Sequence, residues 1–231
     1  MSRLLLIFFS GCCLFPSARG ADLAVLEKKA KAGDAEAQYQ LGEIYFEALK
    51  VKQDLSAAKG WIKKAAEQKN AKARYRLASM RFRGVGFKAD SVEGRKLFAQ
   101  SLPGLKKLAE GGDADAQGKL GVLYVMGLAV GRDFAKAVEL FQKAAAAGNA
   151  KAQADLAGAY LAGKSMAINP TLAGDWFEKA AQAGHGPAQI QLGILYIKAR
   201  GRRQDIAAGI KWIETASRSG HPVSAKKAND L

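Results

Sequence analysis

A short pattern, Leu-Gly/Ala-x-x-Tyr, stands at five places along this chain of 231 residues. It reads Leu41-Gly42…Tyr45, Leu77-Ala78…Arg81, Leu120-Gly121…Tyr124, Leu156-Ala157…Tyr160 and Leu192-Gly193…Tyr196. The leucines are 36, 43, 36 and 36 residues apart. A fixed period of roughly 20 to 50 residues denotes stacked structural repeats, each unable to bury its apolar face alone. Such a stack is usually a binding surface, so the pattern directs the functional question toward a partner rather than a catalytic pocket.

Other columns keep step with the same leucine. Thirteen residues on stand Asp54, Asp90, Asp133, Asn169 and Asp205, and twenty residues on stand Trp61, Leu97, Leu140, Trp176 and Trp212. A short side-chain oxygen suits a helix N-cap, where it accepts a bond from an orphan N–H. Asp90-x-x-Glu93 has capping-box spacing, and Asn169-Pro170 places proline at a first helical position. Glycines precede this column at Gly84, Gly86, Gly127, Gly131, Gly163 and Gly201, and a second set, Gly33, Gly112, Gly148, Gly184 and Gly220, closes the following helix. Lys69 is the weaker member of that second set. Each unit therefore reads as helix, turn, helix, turn. In the fourth unit the first helix is expected near 150–162, with Ala152, Leu156, Ala159 and Tyr160 on one stripe.

These columns resemble the Sel-one-like repeat, a relative of the tetratricopeptide repeat, over roughly residues 33 to 225. The residues that carry the likeness are Ala116…Leu120-Gly121-Val122-Leu123-Tyr124, Lys136-Ala137…Lys143-Ala144-Ala145…Gly148 and Trp176-Phe177…Lys179-Ala180-Ala181…Gly184. The resemblance implies an all-α, right-handed superhelical solenoid of about five helix-turn-helix repeats with flanking capping helices. The expected organisation is a signal peptide (1–20), an N-terminal capping helix (21–33), repeats at 34–69, 70–112, 113–148, 149–184 and 185–220, and a closing helix (222–231). Two departures stand out, both in repeat two: Arg81 in the tyrosine column, and seven extra residues. Leu102-Pro103-Gly104 interrupts the longer stretch, which predicts a kink or two shorter helices there.

Residues 1–20 read as a separate object. Arg3 precedes Leu4-Leu5-Leu6-Ile7-Phe8-Phe9, and Ala18-Arg19-Gly20 offers a small-residue cleavage site, which is the layout of a secretory signal peptide. Uncut, the segment is an N-terminal anchor, and Phe9-Ser10-Gly11-Cys12 allows a third reading as a lipoprotein anchored at Cys12. Both cysteines, Cys12 and Cys13, lie inside it, so cleavage after Gly20 leaves a periplasmic or secreted chain without disulfides or thiolate chemistry.

The whole chain carries 36 Lys+Arg against 21 Asp+Glu. Without Arg3 and Arg19 the balance is 34 − 21 = +13. The excess gathers in repeat two and from repeat five to the end. A field of this sign draws anionic partners and speeds association. Outside the cytoplasm that favours a protein with an acidic face, or peripheral contact with an anionic membrane, over nucleic acid. The candidate contact residues are Arg74, Arg76, Arg81, Arg83, Arg200 and Arg202. Arg74 replaces the glutamine found at Gln38, Gln117, Gln153 and Gln189, and Arg81 replaces an aromatic, so two columns break to arginine on one helix face.

Catalytic patterns are weak by comparison. His185 follows Gly184 and His221 follows Gly220, in a capping column and without a carboxylate or cysteine at motif spacing. Ser56-x-x-Lys59 and Ser224-x-x-Lys227 have the spacing of penicillin-recognising enzymes but lack the Ser-Asp-Asn and Lys-Thr-Gly partners. Gly84-Val85-Gly86 follows no strand, so it is no phosphate cradle. The tryptophans are expected in the core. No cofactor, metal or catalytic residue is assigned. What the resemblance implies is adaptor or regulatory work on a protein partner. Some exported members look like immunity proteins that block a toxin such as a secreted phospholipase. A periplasmic regulator or scaffold of an envelope or sensor complex is the alternative, and a hydrolase on cell-wall or β-lactam substrates the third.

Overall fold

A computed structural model describes residues 20–47 and 53–218. Among them are a leading helix and five helix pairs: α1 (Gly20–Lys31), α2 (Ala35–Phe46), α3 (Leu55–Glu67), α4 (Ala71–Arg83), α5 (Ser91–Glu110), α6 (Ala114–Met126), α7 (Phe134–Ala146), α8 (Ala150–Ala162), α9 (Pro170–Gln182), α10 (Gly186–Ile197) and α11 (Ile206–Arg218). Each helix packs on the next in chain order. In addition α4 meets α6 and α6 meets α8, so the first helices of neighbouring repeats lie side by side on the inner curve. The architecture is the right-handed α/α solenoid expected from the repeat. The expected signal peptide, apart from Gly20, and the expected closing helix lie outside the described residues.

The columns acquire physical roles. Asp34, Asp54, Asn70, Asp90, Asp113, Asp133, Asn149, Asn169 and His185 each cap a helix, accepting from a backbone N–H two or three residues on. Asp205 does the same for α11 through Ala208 N–H. His185 performs it with Nδ1, accepting from Ala188 N–H at 3.2 Å, so its role in the turn is structural. Five cap residues after the first helix also bond backward. The backbone N–H of Asp54, Asp90, Asp133, Asn169 and Asp205 donates to the carbonyl of Tyr45, Arg81, Tyr124, Tyr160 and Tyr196, respectively, at 2.8–3.2 Å. This cross-loop bond binds the tyrosine column to the aspartate column and sets the inter-helix turn. It also takes the Asp90 N–H that a capping box would give to Glu93, whose carboxylate instead faces Lys96.

The leading helix α1 and the second helices α3, α5, α7 and α9 end in a backbone motif. Gly33, Lys69, Gly112, Gly148 and Gly184 have positive φ, and the next residue's N–H reaches five residues back, as Asn149 does to Ala144. These are the bonds of a Schellman cap.

Packing follows a column one place beyond the tryptophans. Ile62, Phe98, Phe141, Phe177 and Ile213 are buried, whereas Trp61, Trp176 and Trp212 are half-buried. In these second helices it is therefore the residue after the tryptophan, not the indole, that is buried, contrary to the core placement expected for the indoles. Trp176 nonetheless packs against two adjoining apolar clusters and helps join repeats three to five. The Gly/Ala column explains itself by contact: a Cβ at Gly42 would stand 2.6 Å from Ile62 Cδ1, and one at Gly121 2.6 Å from Phe141 Cε1. α1 closes the start of the stack with Ala30, Leu23 and Leu26 against Leu41 and Trp61.

Pro103 does not split repeat two. α5 runs unbroken through it for 20 residues, two turns longer than its 13-residue counterparts α7 and α9. Pro103 is exposed, so its ring projects to solvent, while Leu105 and Ala109 beyond it are buried and anchor the added turns. Tertiary burial thus outweighs the cost of a missing bond, about 3 kcal/mol for a helix-interior proline.

Candidate functional site: the inner face of the first helices

The inner face of repeats one to three is a lattice of charges. Lys72 on α4 donates to Glu36 of α2 at 2.7 Å and to Asp113, the cap of α6, at 3.2 Å. Arg76, one turn on, forks onto both carboxylate oxygens of Glu43 and reaches Glu47 at 3.1 Å. Tyr39 donates its hydroxyl to Asp115 on α6 at 2.9 Å, and Asp115 also accepts from Lys119. The ammonium groups of Lys72 and Lys119 both lie 5.4 Å from the Tyr39 ring centre. Arg76 lies over Phe46 at 4.4 Å.

Burial and charge act on these groups in opposite directions. Burial raises the Asp115 carboxyl, but Lys119, the Tyr39 hydroxyl and Lys72 outweigh it and hold it near 2. Burial, then the anions Glu43 and Asp115, push the Tyr39 phenol well above its usual range. Burial would lower Lys72, yet Glu36 and Asp113 more than compensate and raise it.

The arginines singled out by sequence fall into three groups. Arg76 is buried and Arg202 half-buried, and both are clamps: Arg202 pairs with Asp175 at 3.0 Å and Glu178 at 2.8 Å. As partner contacts they are therefore displaced by internal roles. Arg74 does the work of the glutamine it replaces. Gln38, Gln117, Gln153 and Gln189 each donate Nε2 to the carbonyl eight residues back, and Arg74 donates Nε to Ala66 in the same way at 3.2 Å. Arg81, half-buried, covers the Phe87 ring at 4.1 Å, so a stacked guanidinium stands in for the missing tyrosine. Arg83 and Arg200 are exposed, and their side chains make no hydrogen bond or ion pair among the described residues.

Sequence reading counted Lys72 only within the basic excess of repeat two, and it missed Lys119, Glu36, Glu43, Tyr39 and Asp115. The signal was present five residues before each leucine, where Glu36, Lys72, Asp115 and Lys151 alternate in sign from repeat to repeat. It also missed Asp155, one residue before its leucine on α8. This side chain lines a cleft between repeats three and four, and its Oδ2 is buried without a hydrogen-bond partner. Burial raises its carboxyl, opposed by Lys151 and Arg83.

Among the described residues no group of three or more His, Cys, Asp or Glu gathers as a metal site would require, and no helix is long and apolar enough to cross a membrane. Ser56 is exposed at a helix start, where its N–H donates to Asp54, and Lys59 sits over Phe87 at 5.1 Å. Ser224, Lys227 and His221 lie outside the described residues.

The family model of the Sel1 repeat matches the chain at residues 35–70, 71–101, 114–149, 150–185 and 186–221. The second match stops at the point where the seven extra residues lengthen α5. A Sel1 repeat protein of Oxalobacter formigenes has a solved structure similar to this one, 28% identical, with a TM-score of 0.58 over 90% of this chain and 84% of that one. A protective antigen of uropathogenic Escherichia coli, described as displaying an SLR fold, is 26% identical with a TM-score of 0.52 over 89% of this chain; this chain spans about half of it, 50%. An immunity protein of Pseudomonas aeruginosa is 18% identical with a TM-score of 0.51, over 83% of this chain and 68% of that one, a likeness of fold. No curated protein sequence matches the chain significantly.

Proposed function

The chain belongs to the Sel1-repeat family, a protein-interaction fold, and from that premise we propose that it binds one protein partner with an acidic face and inhibits it. The observation that carries the reading is the division among its arginines. Arg76 and Arg202 are neutralised within the solenoid, whereas Arg83 and Arg200 are exposed and make no ion pair among the described residues, Arg83 acting on Asp155 only through its longer-range field. Exposed cations on a rigid stack steer an anionic partner and set its register.

The finer reading is an immunity protein, exported by residues 1–20, that neutralises a toxin such as a secreted phospholipase. The solenoid shares its fold with a Pseudomonas protein so named, and fold analogy is the whole of that support. This reading expects an acidic enzyme encoded beside the chain, and the test is inhibition of that enzyme. Stoichiometric addition is expected to abolish its activity, and Arg83→Glu/Arg200→Glu to restore it. Full activity in a one-to-one mixture would sink the inhibitory reading.

A further inference from the structure

Between repeats three and four the inner face opens into a cleft of about 290 Å³. Its rims are α6, through Val122 and Val125, and α8, through Asp155, Gly158 and Ala159; its floor is α7, through Phe134, Val138 and Phe141. The volume falls just below the range for small-molecule sites, roughly 300 to 1,000 Å³, and suits one long side chain. The walls are apolar apart from Asp155 and Lys164, and Lys164 lies over the Phe134 ring at 4.7 Å.

Two residues make this cleft unlike the rest of the inner face. Gly158 occupies the column that carries Glu43, Ser79, Val122 and Ile194 in the other repeats, and a Cβ placed on it would meet nothing within 4 Å. The missing side chain is thus part of what leaves the space open. Asp155 occupies the column of Arg76 and Lys119. Those two are ion-paired to Glu43 and Asp115, but Asp155 has no ion pair among the described residues, and its Oδ2 is buried without a partner. In this column only the charge that lines the cleft lacks an ion pair; Lys151 and Arg83 reach it through the longer-range field alone.

An occupant must satisfy apolar walls and a buried carboxylate together. A leucine or phenylalanine would leave the carboxylate desolvated and unpaired, which is costly. A short acidic or neutral polar group would leave the walls uncovered. An arginine meets both demands: its stem is apolar, and its guanidinium is weakly hydrated and presents a fork of donors that fits a carboxylate. We propose that the cleft between α6 and α8 is the seat of an arginine side chain presented by the partner protein, paired to Asp155. This rests on the reading of the chain as a protein-binding module and adds a specific anchor to it. Lys164 lines the cleft, and the exposed Lys151 and Arg83 act electrostatically on Asp155, so these cations suit an arginine flanked by acidic residues on the partner.

The test uses the full chain and no partner. n-Butylguanidinium chloride is titrated while the amide and methyl NMR signals of Val122, Val138, Asp155 and Ala159 are followed, with n-butylurea as the neutral isostere and n-butylammonium as the lysine mimic. The guanidinium is expected to shift these signals with a Kd on the order of 10 mM, the affinity that so few heavy atoms sustain. The urea should bind at least about fivefold more weakly, and Asp155→Asn should remove that difference. Gly158→Leu should fill the cleft and abolish the shifts while the thermal melt stays cooperative. Equal binding of urea and guanidinium, or no shifts at these residues, would overturn the proposal. Ammonium binding at least as tight as guanidinium would overturn the assignment to arginine. Any of these failures leaves the inhibition experiment, which depends on Arg83 and Arg200, able to succeed or fail by itself.

Discussion

The hydroxyl of Tyr39, in repeat one, donates to Asp115, in repeat three, at 2.9 Å. The bond passes across the intervening helix α4 and so fastens two repeats that share no sequence neighbourhood. In a stack whose stability is close to a sum over adjacent interfaces, such a bond adds a next-nearest term. Tyr39→Phe keeps the ring between Lys72 and Lys119 and removes only the bond. The expected cost is about 1 kcal/mol. A chemical-denaturation double-mutant cycle with Asp115→Ala should return a coupling of similar size, and a coupling indistinguishable from zero would show that the repeats are held without it.

The same aspartate predicts an acid dependence. Its carboxyl stands near 2 in the fold against 3.8 for the free group. A folded value below the unfolded one contributes stability above about pH 4, and that contribution fades as pH falls toward 2. The full shift would be worth about 2.5 kcal/mol, but the side chain is 38% exposed, so solvent screening leaves about 1 kcal/mol. Urea midpoints measured from pH 5 to pH 2.5 should fall more steeply in the natural chain than in Asp115→Asn. Parallel slopes would contradict the geometry.

Arginines on this chain should separate into two classes under mutation. Arg76→Ala leaves Glu43, 18% exposed at its side chain, without its fork of donors. The cost of breaking such a buried pair is about 3 kcal/mol, visible as a large drop in melting temperature. Arg83→Glu and Arg200→Glu should change stability by less than about 0.5 kcal/mol, as exposed sites do, while weakening partner binding. Equal destabilisation by all three would mean that Arg83 and Arg200 also hold the fold.

Much of the fold was legible because each repeat column has a backbone duty. Caps, Schellman ends and the tyrosine–aspartate cross-loop bond depend on residue type at fixed spacing, and five copies display them. The site was harder to read because its interactions run between repeats. Arg76 finds Glu43 and Tyr39 finds Asp115 only after the helices are stacked, so an arginine counted among the contact candidates is a clamp. Arg74 looked anomalous for a different reason: a guanidinium can make the glutamine's bond to the Ala66 carbonyl, so the chemistry is kept although the letter changes. Arg74→Gln should therefore be near neutral in denaturant unfolding, whereas Arg74→Ala should lose about 1 kcal/mol; equal losses would dismiss the equivalence. A break into two shorter helices at Pro103 was one expectation from local propensity, and the buried Leu105 and Ala109 override it.

One column position is suboptimal in a way that can be repaired. At the ends of α1 and of the second helices φ is 98° at Gly33, 88° at Gly112, 86° at Gly148 and 85° at Gly184, and Lys69 holds the same role at 65°. A side chain in this left-handed region costs about 1–2 kcal/mol. Glycine removes that cost but gives back up to about 1 kcal/mol through the freedom of the unfolded chain. Lys69 is exposed and its side chain makes no hydrogen bond or ion pair among the described residues, so nothing else is lost. Lys69→Gly should therefore stabilise the chain by about 0.5–1 kcal/mol, a rise of roughly 1–4 °C in melting temperature for a domain of this size. The reverse substitution, Gly148→Lys, should lower it by a similar amount. Differential scanning calorimetry of the two variants checks both signs, and a fall for Lys69→Gly would mean that the lysine carries a contact of its own at the end of α3.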